Sequence, residues 1–141
     1  MIFPYLPLPT KVPVPSLGGA MVRHRPIVPV RVFGPLGSRL IDGCLDCGSD
    51  DTIFPLSLAR KLGINLTGAP QGEAHPVGGK AVPYVYAAVT LHLSNGIETF
   101  EWQATVGFID RPLRWALFGH AGFLDFYDTD LRGAGRGERL C

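Results

Sequence analysis

The sequence has 141 residues, a length that suits one domain rather than two. Hydrophobic residues make up 46% and charged residues 18%, which supports a packed core and excludes a disordered chain. A net charge of +1 gives no electrostatic case for nucleic acid or an anionic membrane as a partner.

The 18 glycines and 13 prolines favour short strands and tight turns over long helices. The cysteines are Cys44, Cys47 and Cys141, an odd number that does not make a disulfide framework. They read as reduced thiols, and the expected localisation is cytoplasmic. No apolar run approaches the ~20 residues that span a bilayer. The proline-rich start lacks the basic residues of a signal peptide.

Residues 1–25 form an arm with Pro4, Pro7, Pro9, Pro13 and Pro15. Proline removes backbone donors and fixes extended shapes, so the arm is expected to be irregular. The domain is expected over residues 26–132, followed by a tail, 133–141. Residues 27–33 read as a β-branched strand, and Pro29 points to an edge position or a strand start. A turn at 34–37 leads to a second strand, 38–46, which arrives at a polar, glycine-containing loop. Residues 52–54 read as another strand. Residues 55–63 read as a short helix, with Pro55 at its start, Gly63 just past its end, and Leu58 and Leu62 on one face.

Further on, residues 72–75 and 81–84 can pair around Val77, Gly78, Gly79 and Lys80, a mobile glycine tip. Val85, Ala87, Val89, Leu91 and Leu93 then alternate with polar or small residues up to the hairpin signal Asn95-Gly96. A two-residue turn there sets Leu91 opposite Phe100, Val89 opposite Trp102 and Ala87 opposite Ala104. His92 then faces Thr99, and Thr90 faces Glu101. Residues 113–118 read as an apolar strand. Residues 120–127 read as a second short helix that buries Phe123, Leu124 and Tyr127. Trp102 and Trp115 are assigned to the core.

The stretch Leu45-Asp46-Cys47-Gly48-Ser49-Asp50-Asp51-Thr52 is the most informative. An apolar strand closes on an acidic residue and runs at once into a glycine loop with two more carboxylates. By itself this is also what a solvated acidic turn looks like. The stretch resembles the active-site loop of retropepsins, the retroviral-type aspartic proteases of the peptidase A2 family: apolar-Asp-Thr/Ser-Gly-Ala/Ser-Asp-Asp-Thr. Leu117-Phe118-Gly119-His120-Ala121-Gly122-Phe123-Leu124 resembles the family's second element, an apolar-apolar-Gly strand end running into a C-terminal helix. The order of elements agrees, and the resemblance covers residues 26–132.

The resemblance implies an all-β fold, a retropepsin-like acid-protease half-barrel with two short helices, closed by homodimerisation. It implies an aspartic-type endopeptidase in which Asp46 of each subunit supplies one carboxylate of a dyad. Two carboxylates about 3 Å apart share one proton, so one activates water while the other protonates the substrate carbonyl. Gly48 and Asp50 would bind an extended peptide through the main chain, and a flap centred on Val77, Gly78 and Gly79 would close over it. Cys47, Thr52, Gly119 and His120 would support the dimer and the site. His120 stands where the family has arginine, with Asp50 as its candidate partner. No cofactor or metal is implied. His24, His75, His92 and His120 lack ligand spacing.

Cys47 departs from the pattern, because the family has a Thr or Ser hydroxyl there and a thiol is a weak donor and acceptor. It leaves open a catalytically weak or inactive dimeric peptide-binding module of the same fold. Two Cys47 thiols near a two-fold axis could also form an intersubunit disulfide, or simply pack. Cys44 and Cys47 have dithiol spacing, but on a strand end their side chains point to opposite faces.

Overall fold

The computed structural model of the protein describes residues 1–134 and 137–140. In chain order, β1 (Ile2–Pro4) precedes a ribbon of β2 (Leu6–Val14) and β3 (Ala20–Arg25). Next come β4 (Ile27–Gly34) and β5 (Gly37–Leu45), then β6 (Ile53–Pro55), which feeds the helix α1 (Leu56–Leu62). They are followed by β7 (Gln71–Ala74), β8 (Val82–Ser94), β9 (Thr99–Ile109), β10 (Ala116–Phe118), β11 (Thr129–Arg132) and β12 (Gly137–Leu140).

The fold is all-β around a closed six-stranded barrel. Its order is β4-β5-β10-β6-β9-β8, and β8 returns to β4 through pairs from Val30↔Leu93 to Phe33↔Thr90. The ring therefore closes within one chain, where the sequence pointed to closure by a second copy. Pairing is parallel at β5–β10 and β6–β9 and antiparallel elsewhere in the ring. β7 hangs on the first half of β8 outside the ring. Pro29 pairs with Asp42 of β5 but lies before the β4–β8 contact begins, so its missing N–H removes no ladder bond on the β8 side.

The core fills the barrel with Val28, Val30, Val32, Leu91, Leu93 and Phe108, every one almost fully buried. The Phe118 ring stacks on Phe123 with centroids 4.6 Å apart. It also covers the backbone of Gly43, where an added Cβ would sit 2.2 Å from Phe118 Cζ. Leu58 and Leu62 bury one face of α1 as their spacing predicts, and Gly63 ends the helix at φ 68. Trp102 packs on this core. Trp115 lies outside it, half-buried, with the Arg114 guanidinium 4.9 Å above its ring.

Three further expectations change. The arm is not irregular: β1 pairs with β12, and β2 pairs with β3. Pro7 and Pro9 are two residues apart and share ladder parity, so both missing donors can face solvent. The second helix is only a 3-10 turn, Leu124–Phe126. Gly122 at φ 91 and the burial of Phe123 against Phe118 draw that segment inward and break the helical period. The β8–β9 hairpin forms, but with Leu93 opposite Phe100, Leu91 opposite Trp102 and His92 opposite Glu101. The loop is longer than two residues because Asn95 Oδ1 accepts the N–H groups of Ile97 and Glu98. The shift of two residues leaves every side chain on its expected face.

Among the described residues, no helix is long and apolar enough to cross a membrane.

Candidate active site

Strand β5 delivers Asp46 to the mouth of the barrel. The Leu45 N–H donates to the Pro26 carbonyl at 3.0 Å, and the Asp46 N–H donates to the Phe118 carbonyl at 3.0 Å. The chain then folds back on itself. Gly48 N–H donates to Asp46 Oδ1 at 2.9 Å, and Ser49 N–H to the Asp46 carbonyl at 3.1 Å. A Cβ at position 48 would stand 3.2 Å from that carboxylate oxygen, so glycine keeps the turn tight. Asp46 is thus half-buried and held by a main-chain donor in a defined orientation.

The segment after β10 braces the loop from beneath. His120 N–H donates to the Ser49 carbonyl at 3.0 Å, Ala121 N–H to the Asp50 carbonyl at 2.8 Å, and Thr52 N–H to the Ala121 carbonyl at 3.0 Å. Gly119 sits so close that an added Cβ would lie 2.3 Å from the Asp51 carbonyl oxygen and 2.5 Å from that of Ser49. Thr52 is fully buried, and its Oγ1 has no hydrogen-bond partner among the described residues. Thr52 and Gly119 therefore frame the loop from within.

His120 also braces the loop, but not through Asp50. Its Nε2 lies 2.9 Å from the Cys47 carbonyl, and its Nδ1 lies 4.0 Å from Asp125 Oδ1. The Asp50 side chain is exposed, and among the described residues it makes no ion pair with His120. Cys47 is exposed as well, and Cys44 and Cys47 are not bonded to each other.

A cleft of about 470 Å³ opens beside the loop. Asp46, Gly48, Asp50 and Asp51 line one wall, and Glu73, Ala74, His75, Pro76 and Val82 of the β7–β8 hairpin line another. The half of this hairpin next to its tip borders the cleft, from Glu73 to Pro76 and at Val82, without the tip residues Val77, Gly78 and Gly79. Val77 is fully exposed and Gly78 turns at φ 70, with Gly79 N–H donating to the Pro76 carbonyl at 3.1 Å. The structure thus brings Asp46, Gly48 and Asp50 together and leaves Val77, Gly78 and Gly79 clear of the cleft.

Sequence reasoning gave no role to Tyr84, Tyr86 or the Asp51 carboxylate. The Tyr84 hydroxyl donates to Asp51 Oδ2, and the Tyr86 hydroxyl donates to the same oxygen at 2.6 Å. Burial is the first cause that raises the Tyr84 phenol well above its ordinary value. For Tyr86 the hydrogen bond to Asp51 is the first cause of a raised value. The i, i+2 spacing of two tyrosines on one strand face was the available signal. Arg111 also lines the cleft and was not anticipated.

Among the described residues, no group of three His, Cys, Asp or Glu side chains is placed to hold a metal ion. No protein-family model matches this chain, and no curated protein matches it.

Proposed function

We propose that the chain is an aspartic-type endopeptidase that acts as a homodimer on extended peptides. One observation carries this reading. Asp46 is held by the Gly48 N–H on a braced loop, at the edge of a cleft whose other wall is a glycine-tipped hairpin. One chain supplies one such carboxylate, and the dyad needs a second, contributed by Asp46 of another copy across a two-fold axis. In the pair the carboxyls share a proton. The ionised one takes a proton from the attacking water while the protonated one donates to the peptide carbonyl oxygen. The pair titrates as a unit, so acid and base belong to the dyad. Gly48 and the main chain at Asp50 bind the substrate backbone, and the β7–β8 hairpin excludes water when it closes.

A second reading has its own observation. Cys47 is exposed and offers a thiol where a hydroxyl would tie two loops together. On that reading the dimer is a peptide-binding module with weak or absent catalysis. Under oxidation Cys47 could bridge two subunits, whereas a reducing compartment such as the cytoplasm keeps it a thiol.

The test is cleavage of a mixed peptide library with reductant present, at pH values between about 4 and 7, after the protein is shown to be dimeric at the assay concentration. Wild type should cleave with an acid-side optimum, and Asp46→Asn should be inactive. A dimer that binds peptides without cleaving them would favour the second reading.

A further inference from the structure

We propose that Tyr84 and Tyr86 are positioning residues that clamp Asp51 and so fasten the base of the β7–β8 hairpin to the loop that carries Asp46. The inference rests on the endopeptidase reading of the cleft. It adds the device that sets the height of the hairpin above the carboxylate.

The two tyrosines are i, i+2 on β8 and share one face, with ring centroids 5.3 Å apart and planes at 78°. Both hydroxyls converge on one oxygen, Asp51 Oδ2, and lie 3.3 Å from each other. The arrangement needs both phenols protonated and an acceptor in the middle. Asp51 is fastened to the loop independently. Its carbonyl accepts the Ser49 hydroxyl at 2.7 Å, and its backbone bridges Ala121. The carboxylate therefore joins a fixed element to the strand that leaves the hairpin.

The surrounding backbone makes room for both rings. An added Cβ at Gly72 of β7 would lie 2.7 Å from the Tyr86 hydroxyl and 2.8 Å from Tyr84 Cε2. At Gly107 of β9 it would lie 2.6 Å from Tyr84 Cδ2. Gly72 pairs with Tyr84, and Gly107 pairs with Tyr86, so each ring has a glycine opposite it in the neighbouring strand. Two glycines in strand interiors cost conformational entropy, and here they leave the space that the rings occupy. The other charged or titratable groups around the cleft are Asp46, Asp50, Glu73, His75 and Arg111, and none of them bonds the Asp51 carboxylate.

A hairpin that closes over the substrate contributes binding to ground state and transition state alike. Loosening its base should therefore raise KM more than it lowers kcat. We compare wild type with the double variant Tyr84→Phe/Tyr86→Phe, with Asp51→Ala and with Asp51→Asn. Peptide kinetics are measured together with amide hydrogen exchange over residues 71–74. Removing both hydroxyls, or the carboxylate, should raise KM about tenfold with a smaller change in kcat, and should speed exchange in β7. Asp51→Asn keeps a side-chain oxygen that accepts both hydrogen bonds, so it should recover most of the loss seen in Asp51→Ala.

If Asp51→Asn is as damaged as Asp51→Ala, charge rather than the clamp matters and the proposal falls. It also falls if exchange in β7 is unchanged without the hydroxyls. Should the wild-type dimer cleave nothing, the endopeptidase reading fails, and the exchange measurement still decides the clamp. The single variant Tyr86→Phe keeps the Tyr84 donor and gives an intermediate exchange rate if the double variant does not fold.

Discussion

Two antiparallel ribbons of the chain, β8–β9 and β2–β3, differ sharply in standing. The β8–β9 ribbon forms part of the barrel wall and buries Val89, Leu91, Leu93, Val106 and Phe108. Among the described residues the strands of the β2–β3 ribbon pair only with each other, and Leu6, Val12 and Met21 lie on the surface at 38%, 67% and 49% exposure. Backbone pairing makes a strand in both places. Burial is what stabilises one, since a two-stranded ribbon is marginal alone in water. The Asp46 loop belongs to the first kind, because it hangs from the barrel through Phe118 and the segment after Gly119.

The largest effect should come from the barrel side. Phe118→Ala removes the ring that stacks on Phe123 and covers Gly43, and should cost about 3–5 kcal/mol of stability in denaturant unfolding. Gly119→Ala places a methyl against the carbonyls of Asp51 and Ser49. It should cost about 1–3 kcal/mol and, on the endopeptidase reading, abolish cleavage by tilting the Asp46 loop. An active, stable Gly119→Ala protein would show that the loop does not depend on this brace.

Alkaline pH should also act on the barrel. Burial raises the Tyr127 and Tyr84 phenols above the free value of 10.0, while the unfolded chain releases those protons near it. Their stabilising contribution is complete below about pH 10 and is lost progressively above it. Unfolding midpoints followed by circular dichroism should therefore fall as pH rises past that point, and a flat profile would contradict the burial of these rings. The smallest effect belongs to the β2–β3 ribbon. Replacing Leu6, Val12 and Met21 together by serine should change stability by no more than about 0.5 kcal/mol per site. A loss as large as that of Phe118→Ala would erase the contrast between the ribbons.

The site was legible in the sequence where it is local. The run from Asp46 to Thr52 carries its turn in its own residues, because Gly48 and the Asp46 side chain bond across two positions. The β8–β9 pairing was legible by face and not by register. Alternation sets the face, but the Asn95 side chain adds residues to the loop by capping Ile97 and Glu98. His120 was legible as a brace of the loop but not in its partner. The Cys47 carbonyl, 73 positions away in the chain, holds the ring instead of Asp50.

By itself the sequence determined the β character of the chain, the helix that ends at Gly63, the acidic glycine loop and the glycine-tipped hairpin. Each depends on dihedral preference or periodicity within a few residues. Only the tertiary structure decided the rest. Asp51 meets Tyr84 and Tyr86 across 33 and 35 positions, β8 closes the ring on β4, and Phe123 leaves its expected helix to stack on Phe118. Those outcomes depend on which surfaces the closed barrel brings into contact, and burial there outweighs local propensity.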